Sequence, residues 1–582
     1  MRKFGQWRAA IALVLFAAVF IGLSVYSYTR TSATVDEPIS LTSGYAMLKY
    51  HDYRFSPDHG PFLRMWAAIP LVCMRHVSFH PHVISENDSI DWLFTSQFDA
   101  SHAFLYEWND ADHLLYAARF MMTLLGIALG ILVFCWAREL FGYWPAVVAL
   151  GLYSLDPNIL AHGSLITSDS GLGCFVFGAA YFLWRTARRL SPGNLIGLSV
   201  FTALALVSKF WGLLLLPMIP LCLASRLTSQ TPWPCRIGAV RELVSISTRI
   251  WAVIAVSFFV VLTGYLGIWA AYDFRYCPSA DESEQFHLEQ TDFIQHRAPE
   301  LAARAGWLDR THLLPDAYTE GFLFGCATLP GRELFLNGNV SHLGWWYYFP
   351  EAFLIKTPVS LLLLLLAGTV LWFRQMRTAW RDSLFVFLPP LVFFGVAMYG
   401  HVDIGLRYVV LIYPFVTLIA TKAIAECLKF RLQWMPVAAV IIAACELARV
   451  YPHCLAYFNC LVGGPSHGYR YLADSNLDWG QDLKGLKQWM DENGVKHINL
   501  CYFGTADPAY YHINYTDMFD PAHLVPGQTS PAQFPGYVAI SAMYLEKLKP
   551  FWNHKPAAVI GYSIYIYWVD KVFPGGPGMT PN

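Results

Sequence analysis

Charge is scarce in this chain: Asp, Glu, Lys and Arg make up 14% of its 582 residues, against about 25% in a soluble domain. With 55% hydrophobic residues and a positive mean hydropathy, that scarcity excludes an ordinary soluble fold and implies a multi-span membrane protein. No run of Lys and Arg is present and the formal net charge is −1, so nothing points to nucleic acid as a partner. The twelve Cys lack the spacing of a metal site. Cys135, Cys174, Cys222, Cys427 and Cys445 lie inside apolar runs and read as small buried hydrophobes. Cys277 and Cys326 could pair within one outer loop. No internal repeat or low-complexity tract stands out, so the inverted repeats of many transporters are not evident. Twenty-one Trp and thirty-two Tyr suit interfacial belts and a sugar-handling surface alike.

Long apolar runs are what the chain does have. The first, Ala9 to Tyr28, follows Arg2, Lys3 and Arg8. A signal peptide cleaved near Thr31-Ser32-Ala33 is one reading, but the run is long for that and reads as a retained first helix with a cytoplasmic N-terminus. Further runs lie near 114–136, 144–160, 166–184, 195–207, 210–225, 249–271, 352–373, 383–400, 407–428 and 434–451, making eleven spans with the first. Basic residues test that count. Arg138, then Arg185/Arg188/Arg189, Arg226/Arg236/Arg241, Arg374/Arg377/Arg381 and Lys429/Arg431 fall in alternate loops, all of which come out cytoplasmic. The C-terminus then lies outside.

The expected architecture is an α-helical polytopic membrane protein of about eleven transmembrane helices over 1–451. Its first external loop, 29–113, carries interfacial helices around Phe62 to Val77, a stretch broken by Arg64, Pro70 and Arg75. A second large external loop covers 272–351. The tail, 452–582, has a helical stretch from Leu483 to Asn493 and strand-like runs His497–Phe503, Tyr537–Ser541 and Ala557–Trp568. That pattern predicts a small external α/β domain.

Isolated polar groups sit at the ends of apolar runs. Asp36 and Glu37, just past the first run, need open water or a cationic partner, because a low-dielectric setting disfavours charge. A solvated loop start is the plain alternative. The topology gathers them on one membrane face with Asp58, His59, Arg64, Asp169, Lys209, Lys356, His401, Asp403 and Arg407. Carboxylates beside cations suit a reaction that deprotonates a hydroxyl while a phosphate departs. Arg64 and Arg75 either snorkel to headgroups or bind a ligand. His51, His76, His80 and His82 read as loop residues rather than metal ligands. Asp474 to Asp482 looks like a calcium loop but has Trp479 and Gly485 where an EF-hand has Gly and Glu, so a turn or cap before the next helix is the better reading.

Several motifs, in order, carry a resemblance. The Asp36-Glu37 pair is followed by Ser56-Pro57-Asp58-His59-Gly60-Pro61-Phe62-Leu63-Arg64, and then by Pro157 to Gly163 with Thr167-Ser168-Asp169. Ser208-Lys209-Phe210, Tyr348-Phe349-Pro350 with Lys356-Thr357-Pro358, and Ile404 to Tyr408 with Tyr413-Pro414-Phe415 complete the series. From about residue 34 to 415 the chain resembles GT-C membrane glycosyltransferases, in particular the protein O-mannosyltransferases and lipid A aminoarabinose transferases. It departs from them at His59-Gly60-Pro61-Phe62, where His-Pro-Pro-Leu is common, and at Arg64, where Lys is common. The tail looks like that of bacterial members.

The resemblance implies inverting transfer of a sugar from a polyprenyl-phosphate donor to a hydroxyl or amine of a protein, lipid or glycan, at the outer face of a bacterial inner membrane. Asp36 would be the base, supported by Glu37 and Asp169. Lys209, Arg407, Lys356 and Arg64 would meet the donor phosphate, and Asp58, His59 and His401 the substrates. No metal ligand is assigned, although a divalent metal is compatible with the class. Membrane lipids are the other expected partners. A transporter or lipid flippase with charges along its path is the rival reading, and a surface-binding protein working through its tail is a third.

Overall fold

The computed structural model describes residues 2–80, 92–238, 240–280, 285–328, 331–518, 534–545 and 554–570. His82 lies outside the described residues. Each apolar run is helical, and the protein is a multi-pass integral membrane protein with a small mixed sheet at its C-terminal end. Among the described residues five helices are long and apolar enough to cross a membrane: Trp7–Tyr28, Ala111–Phe141, Ile246–Ala271, Trp380–Gly400 and Leu406–Lys429. Two bent pairs raise the number to seven: Pro157–Ser164 with Ser168–Arg188, and Tyr348–Lys356 with Val359–Arg374. The helices Pro192–Leu206 and Trp434–Ala448 are shorter, about 22 Å each at 1.5 Å per residue, against a hydrocarbon core of about 30 Å.

Local chemistry sets the ends of these helices. Asp110 caps Ala111–Phe141 by accepting from the His113 N–H at 3.1 Å, and Ser245 caps Ile246–Ala271 the same way. Pro157 and Pro192 open their helices at the position where a missing N–H costs nothing. The 115° bend at Thr357-Pro358 follows from Pro358, which pushes Thr357 into extended backbone. The other bend, 109°, leaves Ser168 and Asp169 at a helix N-terminus deep in the bundle.

The stretch 29–113 is more structured than its sequence indicates. Glu37–Tyr50 is a helix with Glu37 to Met47 all buried, so it shows no amphipathic period to read. It packs against Phe62–Cys73, whose Leu63, Arg64, Ala67, Ala68 and Leu71 are also buried. Arg64 therefore does not snorkel: it is turned inward onto Ser56 and Asp58, while Arg75 is exposed. The stretch 272–351 holds the helices Pro299–Thr311 and Asp316–Thr328 and a hairpin pairing Leu334–Leu336 with Asn339–Ser341. Cys277 and Cys326 form no disulfide.

In the C-terminal sheet the strand order is Tyr515–Asp517, Ile498–Cys501, Gly536–Ser541, Ile564–Val569, Ala558–Ile560. The first three pair in parallel and the last two join antiparallel. Leu483–Glu492 packs beside it with Leu483, Leu486 and Met490 buried. Before that helix, residues 453–482 have no long element and run along the bundle. Lys356 Nζ donates to the carbonyls of Leu455 (2.9 Å) and Asn476. Ser32 and Val35 donate their N–H groups to the carbonyls of Gln481 (2.8 Å) and Trp479 (3.0 Å).

Candidate active site

A cavity of about 540 Å³ opens where the Asp36 turn, the Ser56–His59 loop, the N-terminus of Ser168–Arg188 and the start of Leu406–Ile412 converge. Asp36 precedes the helix Glu37–Tyr50, and 40% of its side chain is exposed. Its Oδ2 accepts from Arg407 Nη1 at 2.5 Å. Asp169 is buried, and its Oδ1 accepts from Lys209 Nζ at 2.5 Å. Two carboxylate–cation pairs thus face one space. They differ in access: a substrate can reach Asp36, whereas Asp169 is largely covered.

Both cations retain unused donors. Arg407 Nε has no hydrogen-bond partner among the described residues, and its guanidinium lies 4.3 Å from the Trp479 ring centroid. Stacking on that face fixes the plane of the fork. Lys209 Nζ sits 4.5 Å from the Tyr408 ring centroid. The backbone just before it is pressed against the opposite loop, because a Cβ at Gly60 would collide with the Val207 carbonyl.

Asp58 Oδ1 accepts from Ser56 Oγ at 2.7 Å and Arg64 Nη2 at 3.1 Å. Burial would raise its pKa, but His59, Arg64 and these hydrogen bonds hold it below the usual carboxylate range. Burial, followed by Lys209 and Arg64, lowers His59 despite the opposing pull of Asp58. His59 is thus a neutral polar group at neutral pH, 2.5 Å from the Asp58 carbonyl. The opposite wall is apolar, with Phe94, Phe98, Phe210, Trp211, Phe322 and Phe324.

Of the residues singled out from sequence, Asp36, Asp58, His59, Arg64, Asp169, Lys209 and Arg407 line this cavity. Glu37, Lys356 and His401 do not. Glu37 is fully buried against Arg119, with Arg119 Nε and Nη2 at 2.9 and 2.5 Å from its two oxygens. It also accepts from the N–H groups of Thr34 and Ile166. Burial raises its pKa, and Arg119 together with those bonds overcomes the rise and lowers it. Lys356 is spent on the two carbonyls of the tail, and His401 is an exposed residue in the left-handed region that ends Met376–Gly400. Sequence reasoning missed Arg119, Trp479 and Arg332, the last of which also lines the cavity. Arg119 had a visible signal: a lone Arg inside the apolar run at 114–136.

Residues 111–252 match the family model of dolichyl-phosphate-mannose-protein mannosyltransferase. Over that stretch the chain is similar to this family. The matched stretch contains Arg119, Asp169 and Lys209, while Asp36 and Arg407 come from outside it. No curated protein matches the chain. Among solved structures it is similar to ArnT from Cupriavidus metallidurans bound to undecaprenyl phosphate, at 12% identity and a TM-score of 0.43 over 95% of this chain and 97% of that one. It is also similar to the oligosaccharyltransferase AglB from Archaeoglobus fulgidus in complex with an inhibitory peptide and a dolichol-phosphate. There the identity is 13% and the TM-score 0.44, over 94% of this chain and 71% of that one.

Proposed function

We propose that the protein is a membrane glycosyltransferase that moves a sugar, with inversion, from a polyprenyl-phosphate donor to a hydroxyl or amine of a protein, lipid or glycan. The observation that carries this reading is the pair of ion pairs, Asp36–Arg407 and Asp169–Lys209, facing one cavity with an apolar wall. The acceptor oxygen or nitrogen attacks the anomeric carbon and passes its proton to the Asp36 carboxylate. The bond from that carbon to the phosphate oxygen breaks, and the lipid phosphate leaves with the electron pair. Arg407 offers forked N–H donors and Lys209 a point charge to the departing phosphate. Asp169 holds Lys209 in place, and Asp58, oriented by Arg64, and His59 offer polar contacts to the sugar. Phe210 and Trp211, next to Lys209 in the chain, form an apolar path suited to the isoprenoid. Glu37, closed off by Arg119, positions the turn that presents Asp36 rather than reacting.

We read the topology as eleven spans, counting the shorter apolar helices, with a cytoplasmic N-terminus and the cavity and tail on the outer face of a bacterial inner membrane. Basic residues in alternate loops support this. The deciding experiment incubates membranes containing the protein with a panel of polyprenyl-phosphate sugars and identifies products by mass spectrometry. A sugar transferred by wild type and not by Asp36→Asn is expected. Transbilayer movement of donor with no product formed would move the transporter reading to first place.

A further inference from the structure

Outside the cavity, three carboxylates converge in the stretch 272–351. Glu289 lies in the single 3₁₀ turn Leu288–Gln290, Asp309 on Pro299–Thr311 and Glu320 on Asp316–Thr328. One ligand oxygen from each lies within 4.8 Å of those of the other two. Two oxygens on opposite sides of a calcium ion at about 2.4 Å would be separated by that distance.

Such a cluster needs an explanation for its charge. Glu320 is fully buried, and its Oε1 has no hydrogen-bond partner among the described residues. Asp309 Oδ1 and Glu289 Oε2 are likewise buried and without hydrogen-bond partners among the described residues. Among the described residues no Lys or Arg forms an ion pair with any of the three. Bringing like charges together out of water is costly. The donors are all hard oxygens with neither sulfur nor nitrogen among them, which suits calcium or magnesium rather than zinc or copper. Carboxylates on separate helices and a turn form an irregular cage, which fits the variable coordination of calcium better than strict octahedral magnesium.

We propose that Glu289, Asp309 and Glu320 bind a calcium ion that fastens the helix Asp316–Thr328, and with it one wall of the cavity. The link to the cavity is short. Gly321, next to Glu320, packs against the Pro57 carbonyl so closely that no Cβ would fit, and Phe322, Phe324 and Thr328 of the same helix line the cavity. The ion joins this helix to Pro299–Thr311 and to the turn at Glu289, whose N–H also donates to Glu320 Oε2 at 3.2 Å.

The test uses the purified full chain in detergent after chelator treatment, with CaCl2 as the only added ligand. Equilibrium dialysis with radioactive calcium should give one ion bound at this site in wild type and none in Glu320→Gln. Calcium should also slow tryptic cleavage at Arg297, Arg304 and Arg310 in wild type, a readout that requires no variant to fold. Glu289→Gln, at a less buried position, should reduce both effects. Asp36→Asn should bind calcium as wild type does; loss of binding there would place the ion in the cavity and overturn the proposal. Unchanged calcium binding and protection in folded Glu289→Gln and Glu320→Gln would also overturn it, as would no calcium-dependent protection in wild type. Equal protection by MgCl2 at the same concentration would overturn the choice of calcium.

Discussion

Arg407 donates to Asp36 across 371 positions of sequence, and this single contact ties the last long span to the turn that follows the first. The pair sets a division of labour with Asp169–Lys209. Asp36 is the accessible carboxylate and Asp169 the covered one, with 40% and 4% of their side chains exposed.

An alkyl hydroxyl is too weak an acid to attack unaided near neutral pH, so a positioned base is worth roughly 10²–10⁴-fold. Asp36→Asn should lower kcat by about that factor with donor binding largely kept, since Arg407 and Lys209 both remain. Asp169→Asn, which loosens Lys209, should act mainly through the donor's KM. Steady-state kinetics on the two variants separates the roles. Equal kcat losses with unchanged KM would mean that the base has been placed on the wrong residue.

Glu37 and Arg119 form a closed, doubly hydrogen-bonded pair with no exposure on either side. Breaking a buried pair by removing one partner typically costs about 3–5 kcal/mol, because the other charge is left uncompensated. Glu37→Gln should therefore lower the detergent unfolding midpoint and the yield of folded protein. Glu37→Gln combined with Arg119→Met should recover part of that loss. A Glu37→Gln protein with a wild-type midpoint and no activity would instead place Glu37 in the chemistry.

This pair also shows what the sequence could and could not disclose. Adjacent Asp36 and Glu37 look equivalent in a string of letters. The helix that begins between them sends one side chain to the cavity and the next into the bundle. The direction is decided by Arg119, 82 positions away. Lys209 and Arg407 were legible because each follows or opens an apolar run, where an unpaired charge would be costly. Lys356 has the same local signature, yet it meets backbone carbonyls of the tail. Local pattern marks a buried cation and does not name its acceptor. The helix Glu37–Tyr50 escaped for the opposite reason: it is covered on most sides, so no periodicity remained to show it.

Asp478 is buried in the tail, where its carboxylate accepts from the N–H groups of Gly480 (3.2 Å) and Met543 (3.3 Å). Burial outweighs these bonds and pushes it up to about 7. A carboxyl whose folded pKa exceeds its unfolded value contributes stability at low pH that is lost as pH rises through the folded value. The window here runs from about 4 to about 7. His453, raised overall by Asp482 against the effect of burial, acts in the same direction. The unfolding midpoint should fall between pH 5 and pH 8, and Asp478→Asn should flatten that fall by removing the larger titration. A slope unchanged by the substitution would assign the pH dependence elsewhere.

Trp479 tests whether the tail takes part in the site. Its ring is buried under the Arg407 guanidinium at 4.3 Å, and its carbonyl accepts the Val35 N–H one residue before Asp36. It therefore supports both members of the Asp36–Arg407 pair, although it lies beyond the last apolar run. A desolvated cation–π contact is worth about 2 kcal/mol, so Trp479→Leu should cost more than tenfold in kcat/KM. Trp479→Phe, which keeps an aromatic face, should cost less. The loss should appear in donor KM and kcat together, because the fork that Trp479 orients would serve both donor binding and the leaving phosphate. Arg407→Lys should show the same paired effect, since Lys keeps the charge and loses the planar fork. Combining the two substitutions decides the matter: if Trp479 acts through Arg407, adding Trp479→Leu to Arg407→Lys should cost little more than Arg407→Lys alone. Fully additive losses in a well-folded double variant would mean that the tail supports the fold but not the fork.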